Sequence, residues 1–246
     1  FYKAAKAKGQ LLEKHDKKLI AALSVIYFLS LFWFGNRLIV VPEYDLDLVQ
    51  GTAYMLALGE RGRDIWHVYF ARFTNQIPIT LLLAFFYKAG LLMGVTDYYI
   101  IGNFFNAIAI SMTMGLGWIF ARRHFDSAVS FTIYLFMICN PIWFLYVSWS
   151  STDTFCLPFL MGGLLLLDNS LKGRFSYGRI FAGAFLIAIS FTIRATNIIL
   201  IIAYLIFISS RENWKRVLMA FLAIAAAFVL CSFGYHRICD IYDAPY

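Results

Sequence analysis

Residues 42–78 read PEYDLDLVQGTAYMLALGERGRDIWHVYFARFTNQIP, a polar stretch set between two apolar ones. It holds five of the fourteen acidic residues, Glu43, Asp45, Asp47, Glu60 and Asp64, together with Arg61, Arg63, Arg72 and His67. The stretch is slightly acidic in a chain whose formal charge is +7. Around it run uncharged windows at 19–36, 73–87, 98–121, 127–152, 154–167, 180–193, 195–210 and 217–235. A span takes about 20 apolar residues, so these windows make roughly six to eight membrane segments. A chain embedded in lipid that keeps one elaborate polar loop is expected to do its chemistry in that loop.

Composition agrees. Hydrophobic residues are 61% of the chain, aromatics 19% and charged residues only 14%, far from a soluble domain. An outer-membrane barrel would need short alternating strands, whereas these apolar runs are continuous. The expected class is therefore all-α: a polytopic transmembrane helical bundle of about seven membrane segments, forming a single domain over residues 1–246. Residues 1–18 carry six lysines against Glu13 and Asp16 and run straight into an apolar segment with no small-residue cleavage site. Such a basic flank stays cytoplasmic, which puts the 42–78 loop on the outer face of a multi-pass plasma-membrane protein. The lysines read as anchors facing anionic lipid, not as a nucleic-acid surface. Cys139, Cys156, Cys231 and Cys239 show no CxxC spacing and read as small buried hydrophobes.

Within the loop, residues 45–59 place Leu48, Tyr54, Met55 and Leu58 at helical spacing, with Val49, Ala53 and Ala57 beside them. This predicts an amphipathic helix on the membrane surface with its acids at the N-terminal end, ended by Gly59 and Gly62. The next segment starts near Ile77 or Pro78, where proline is tolerated in a first turn. Lys88 either snorkels or points into a polar cavity. Gly115 and Gly117 in the 98–121 segment suit close packing, Arg122, Arg123 and His124 form a basic stop, and Asn140-Pro141 predicts a kink. Residues 180–210 would make a helix of ~45 Å, too long for a ~30 Å core. Either one tilted helix carries Arg194 internally, or two half-helices meet there.

Sidedness has two solutions. Three full crossings at 77–95, 98–121 and 127–147 put Asp153 opposite Asp45. Keeping both basic clusters, 122–124 and 172–179, in the cytoplasm puts Asp153 and Asp45 on the same outer side, with one of the three segments not crossing fully. The second satisfies the positive-inside rule at both clusters and is preferred.

Four short elements in order resemble the GT-C superfamily of membrane glycosyltransferases, closest to bacterial enzymes related to protein O-mannosyltransferases and aminoarabinose transferases. They are Asp45-x3-Val49-x3-Ala53-x3-Ala57-x-Gly59; Tyr69-Phe70-x-x-Phe73-Thr74-Asn75-Gln76; Asn140-Pro141 with Ser151-Thr152-Asp153-Thr154 and Leu157-Pro158-Phe159; and Arg194-Ala195-Thr196-Asn197. Phe73-Thr74 stands where the family has Tyr-Pro, and Ala195 where it has Pro. The resemblance implies a sugar donor on a polyprenyl phosphate or diphosphate, a glycan or protein hydroxyl as acceptor, and a lipid bilayer as setting. Members have more spans, so it also implies that this chain is the N-terminal part of a longer enzyme.

Such chemistry needs a carboxylate to take the acceptor's proton, a cation to hold the leaving phosphate and a groove for the prenyl tail. The resemblance points to Asp45 as general base, with N-terminal helix capping as its other explanation and Asp47 as its competitor. Asp153 either positions acceptor or metal, or caps a helix starting near Phe155. Together Asp45 and Asp153 offer oxygen ligands for Mg²⁺ or Mn²⁺. Arg194 either binds phosphate or pairs internally with an acid, and Arg72 and Lys88 are further cations for phosphate. Tyr69 and Asn75 are candidates for orienting substrate, Tyr69 also reading as an interfacial aromatic; His67 reads as an interface residue. The rival functions are a transporter or flippase of lipid-linked glycans and a non-catalytic membrane scaffold.

Overall fold

The computed structural model describes residues 2–38, 45–60, 65–66, 68–172 and 175–245, with backbone alone for 2–16, 169, 171 and 172. Helix accounts for 85% of the described structure, with no strand among the described residues. The helices are α1 (Tyr2–Arg37), α2 (Asp45–Leu58), α3 (Val68–Arg72), α4 (Ile77–Leu92), α5 (Tyr98–His124), α6 (Ser127–Ile138), α7 (Ile142–Tyr146), α8 (Thr152–Phe155), α9 (Leu157–Lys172), α10 (Tyr177–Ile193), α11 (Ile199–Ser209) and α12 (Trp214–Tyr242). Two 3₁₀ turns, Thr74–Gln76 and Ala195–Ile198, precede α4 and α11.

Among the described residues, four helical stretches are long and apolar enough to cross a membrane: Lys17–Arg37, Thr74–Leu92, Tyr98–His124 and Trp214–Tyr242. Shorter apolar helices occupy Ser127–Ile138, Tyr177–Ile193 and Ala195–Ser209. The all-helical membrane bundle expected from composition is therefore present. Apolar side chains such as Val25 and Ile26 on α1 and Val229 and Phe233 on α12 point outward, as a lipid-facing surface requires.

Side-chain contacts fix which helix ends lie together. Asn103, early in α5, donates to Asn36 at the end of α1 (3.1 Å), and Gly35 lies against Val147 just past α7. At the other end, Arg123 and His124 of α5 meet Asp168 of α9 at 3.6 and 3.1 Å. Helices α5 and α9 thus run one way, and α1 and the α6–α7 pair the other. Helix α10 returns beside α9, so closely that a Cβ at Gly163 would sit 2.7 Å from the Gly183 carbonyl. Helix α12 runs parallel to α10: Arg216 lies over Phe175 at the start and Phe191 meets Phe228 near the far end. Past that level α12 continues to Tyr242, whose carbonyl accepts from Trp66 Nε1 (3.0 Å).

Helix α4 behaves differently. Its N-terminal side, Asn75 and Pro78, borders the same groove as Ala195 and Tyr235, while Gly90 near its C-terminus abuts Ile101 of α5. Both ends therefore belong to the Asn36 end of the bundle, and α4 lies across that end without joining it to the other. Its hydropathy alone would pass it as a span, but hydropathy is blind to direction and the contacts are not. Of the segments 77–95, 98–121 and 127–147, the first is the one that does not traverse the bundle, which places Asp45 and Asp153 at one end.

Helix α2 packs along α4 and buries Val49, Gln50, Thr52, Ala53, Leu56 and Ala57. Leu48, Met55 and Leu58, expected to form its apolar face, are exposed. Val49 and Leu56 are buried with the small Thr52, Ala53 and Ala57, and the exposed apolar side chains are left to face lipid. Gly59 ends the helix with φ +99°, which lets the chain turn away; Gly62, named with it as a breaker, lies outside the described residues. The Asn140-Pro141 break is present: α6 stops at Ile138, α7 begins at Ile142, and Asn140 Oδ1 accepts from Ile142 N (3.1 Å).

Candidate functional site

Residues 180–210 resolve as two helices meeting at Arg194. Its backbone is extended (φ −144°, ψ 104°), so α10 cannot continue through it. The chain then makes the Ala195–Ile198 turn, closed by Asn197 N donating to the Arg194 carbonyl (3.1 Å). Ser190, fully buried, locks this turn to the neighbouring hinge: its hydroxyl donates to the Cys156 carbonyl (2.9 Å) and accepts from Asn197 Nδ2 (2.8 Å).

The hinge between α7 and α9 carries Asp153 in the short helix α8. Asp153 does not cap a helix starting near Phe155; it lies inside α8, and its Oδ1 forms an ion pair with Arg194 Nη1. Both side chains remain accessible, at 44% and 42% exposure, so neither charge is sealed in the bundle. The internal-pair explanation for Arg194 is thus realised, and the exposure leaves further guanidinium N–H groups free to meet an anion.

Asp45 and Asp47 occupy the first turn of α2 and are exposed. The Asp45 carboxylate acts on the Tyr69 phenol. Burial, and then the nearby Asp45 charge, push the Tyr69 phenol up to about 12. Tyr69 also tilts onto Phe73 with ring centroids 5.0 Å apart. Arg72 is exposed and lies 5.7 Å from the Phe73 ring centroid. Lys88 is exposed on α4 and borders none of the described grooves. His67 lies outside the described residues.

Asn75 is placed on a groove of about 330 Å³. Thr74, Asn75 and Pro78 form one wall, Phe191, Thr192 and Ala195 another, and α12 supplies Phe228, Ser232, Tyr235 and His236. Its size falls at the lower edge of ordinary ligand sites. Arg194 adjoins it through Ala195, and Asp45 through Tyr69, Phe73 and Thr74, though neither charged side chain is part of its lining. Ser232, Tyr235 and His236 join the groove with no sequence signal beyond their polarity at the tail of an apolar run. A second groove, bounded by Phe86, Phe105, Phe155, Pro158 and Leu186, is wholly apolar and holds about 400 Å³.

Among the described residues no three His, Cys, Asp or Glu side chains converge as a metal centre. Comparison with known protein families, curated proteins and solved structures gives no match.

Proposed function

We propose that this chain is a GT-C-like membrane glycosyltransferase that moves a sugar from a polyprenyl-phosphate donor to a hydroxyl acceptor at the outer face of the plasma membrane. The observation that carries the proposal is the meeting of Asp153 with Arg194 at the end of the bundle that also holds Asp45. Three separated sequence elements, read independently as a family pattern, supply these residues. A transporter would place such charges along a route through the bundle, whereas these sit at one end.

In the proposed reaction the Asp45 carboxylate removes the acceptor hydroxyl proton as the oxygen attacks the anomeric carbon. The bond from that carbon to the phosphate oxygen breaks, and the departing phosphate keeps the electron pair. Arg194, oriented by Asp153, takes up the negative charge through its free N–H groups. Asn75 and Tyr69 border the approach, and the wholly apolar groove suits hydrocarbon. Asp45 and Asp153 would be the residues to hold Mg²⁺ or Mn²⁺, which would supply a competing way to neutralise the phosphate.

The test is transfer of a radiolabelled sugar from a polyprenyl-phosphate donor by the purified protein in lipid vesicles. Asp45→Asn is expected to lower transfer by ~100- to 10,000-fold with protein yield unchanged. No transfer by the unaltered protein with any donor sugar, or full transfer by Asp45→Asn, would overturn the proposal. Transfer that requires added Mg²⁺ would favour the metal arrangement over the guanidinium.

A further inference from the structure

Asn106 sits in the middle of α5 with no exposed surface. The two N–H bonds of its Nδ2, one of them shared, face three backbone carbonyls of the α7–α8 hinge, those of Tyr146 (2.9 Å), Val147 (2.9 Å) and Trp149 (3.0 Å). Only the amide nitrogen can face three acceptors, so the side-chain orientation is fixed by chemistry. Its Oδ1 is buried and has no hydrogen-bond partner among the described residues. A buried unpaired acceptor is costly, and an apolar residue here would avoid that cost. The amide's place is accounted for by what its NH₂ group holds.

What it holds leads directly to Asp153. The Trp149 carbonyl that accepts from Asn106 also accepts from Ser151 N (2.8 Å). The Ser151 carbonyl in turn accepts from Thr154 Oγ1 (3.3 Å) and Phe155 N (3.4 Å), on either side of the α8 turn that presents Asp153. The hinge is pressed against α5 nearby, where a Cβ on Gly102 would lie 2.8 Å from Ser150 Oγ. Three hinge carbonyls therefore converge on one side chain of a rigid helix, and a short hydrogen-bond chain continues from there to α8.

We infer that Asn106 is a positioning residue: it fixes the Trp149–Ser151 hinge so that Asp153 meets Arg194 in the geometry that transfer needs. The inference rests on the glycosyltransferase proposal for its consequence in catalysis, but not for its consequence in structure. Misplacing a reacting group by ~1 Å from a distant site costs on the order of 100-fold in rate.

The experiment compares the otherwise unaltered protein with Asn106→Leu and Asn106→Asp, all carrying Cys139→Ser and Cys231→Ser to remove the exposed and half-buried native thiols. Asn106→Leu is expected to lower kcat about 100-fold with donor KM changed less than about threefold. A maleimide reporter at Ser150→Cys, buried in the unaltered protein, is expected to label at least about tenfold faster in Asn106→Leu, while one at Leu167→Cys stays protected. For Asn106→Asp, transfer relative to the unaltered protein is expected to rise as pH falls and the carboxyl gains a proton to donate. An unchanged kcat, a protected Ser150→Cys, faster labelling at both sites, or a flat Asn106→Asp ratio would each overturn the inference. If the unaltered protein transfers no sugar, the glycosyltransferase proposal fails while the labelling comparison still decides the role in the hinge.

Discussion

Arg194, at the break between α10 and α11, forms an ion pair with Asp153 of α8 and so joins two breaks in the helical bundle. With both side chains about two-fifths exposed, the pair contributes little to stability. Exposed pairs are worth ~0–1 kcal/mol and weaken in salt. Its importance is expected in catalysis. Arg194→Ala should lower the melting temperature by no more than about 2–4 °C, since ~1 kcal/mol moves a chain of this size by that much. Sugar transfer should fall at least about 100-fold, with Arg194→Lys recovering only part, because an ammonium cannot meet carboxylate and phosphate as a planar fork does. Melting curves and transfer rates on one preparation check both halves.

The acid on α2 has a titration signature. Burial and then the Asp45 charge raise the Tyr69 phenol from 10.0 to about 12. The folded state thus holds this proton more tightly than the unfolded one. The associated stability is fully present below pH 10, and is lost as pH rises from 10.0 to about 12. Tyr69→Phe should flatten that part of the alkaline stability profile. Asp45→Asn should bring the Tyr69 transition to lower pH, read as the difference in phenolate absorbance between the two proteins.

Ser190 ties the Arg194 turn to the Asp153 hinge with two hydrogen bonds from a fully buried position. Ser190→Ala leaves the Cys156 carbonyl and the Asn197 amide short of a partner. The expected loss is ~1–3 kcal/mol of stability, measured by denaturant titration in detergent. Transfer should fall with it, since both halves of the ion pair hang from this contact.

Much of the bundle follows from uninterrupted apolar runs: α1, α5 and α12 appear where the sequence lacks charge for a membrane's thickness. The breaks follow from single residues. Arg194 cannot be carried through an apolar helix cheaply, and Asn140-Pro141 removes a backbone donor, so both interruptions are legible in the sequence. The direction of α4 is not, because a helix lying across a bundle end and one traversing it need the same composition. The α2 face is legible in part: Val49, Ala53 and Ala57 are buried with Leu56 against α4, while Leu48, Met55 and Leu58 stay exposed as a helix on a membrane surface requires. Asp153 and Arg194 each stand out as isolated charges, but their meeting depends on how α9 and α10 pack. Ser190 and Asn106 bond to backbone carbonyls of distant segments, and the α12 residues reach the groove only through helix packing, so none of these roles leaves a mark in the sequence.

Glycines separate into those that matter for packing and those that do not. A Cβ at Gly163 would meet Ile187 Cγ1 at 2.5 Å and the Gly183 carbonyl at 2.7 Å. Backbone cannot yield as a side chain can, so Gly163→Ala should push α9 from α10 and cost ~1–3 kcal/mol. Gly115, expected to serve close packing, has no neighbour within 4 Å of where a Cβ would stand. Gly115→Ala should be neutral or slightly stabilising through helix propensity, ~0.5–1 kcal/mol. Thermal unfolding of the two variants side by side checks the contrast.

The most direct measurement is labelling of intact cells with a membrane-impermeant maleimide, using cysteines introduced one at a time in a Cys139→Ser, Cys231→Ser background that keeps only the buried Cys156 and Cys239. Asp47→Cys on α2, Ala195→Cys beside Arg194 and Phe125→Cys at the opposite end are all at exposed positions. The predicted result is that Asp47→Cys and Ala195→Cys label from outside, and that Phe125→Cys labels only after the cells are permeabilised. If Asp47→Cys and Ala195→Cys label from opposite sides, or both only after permeabilisation, Asp45 and the Asp153–Arg194 pair do not share an outer face and the proposed chemistry has no site.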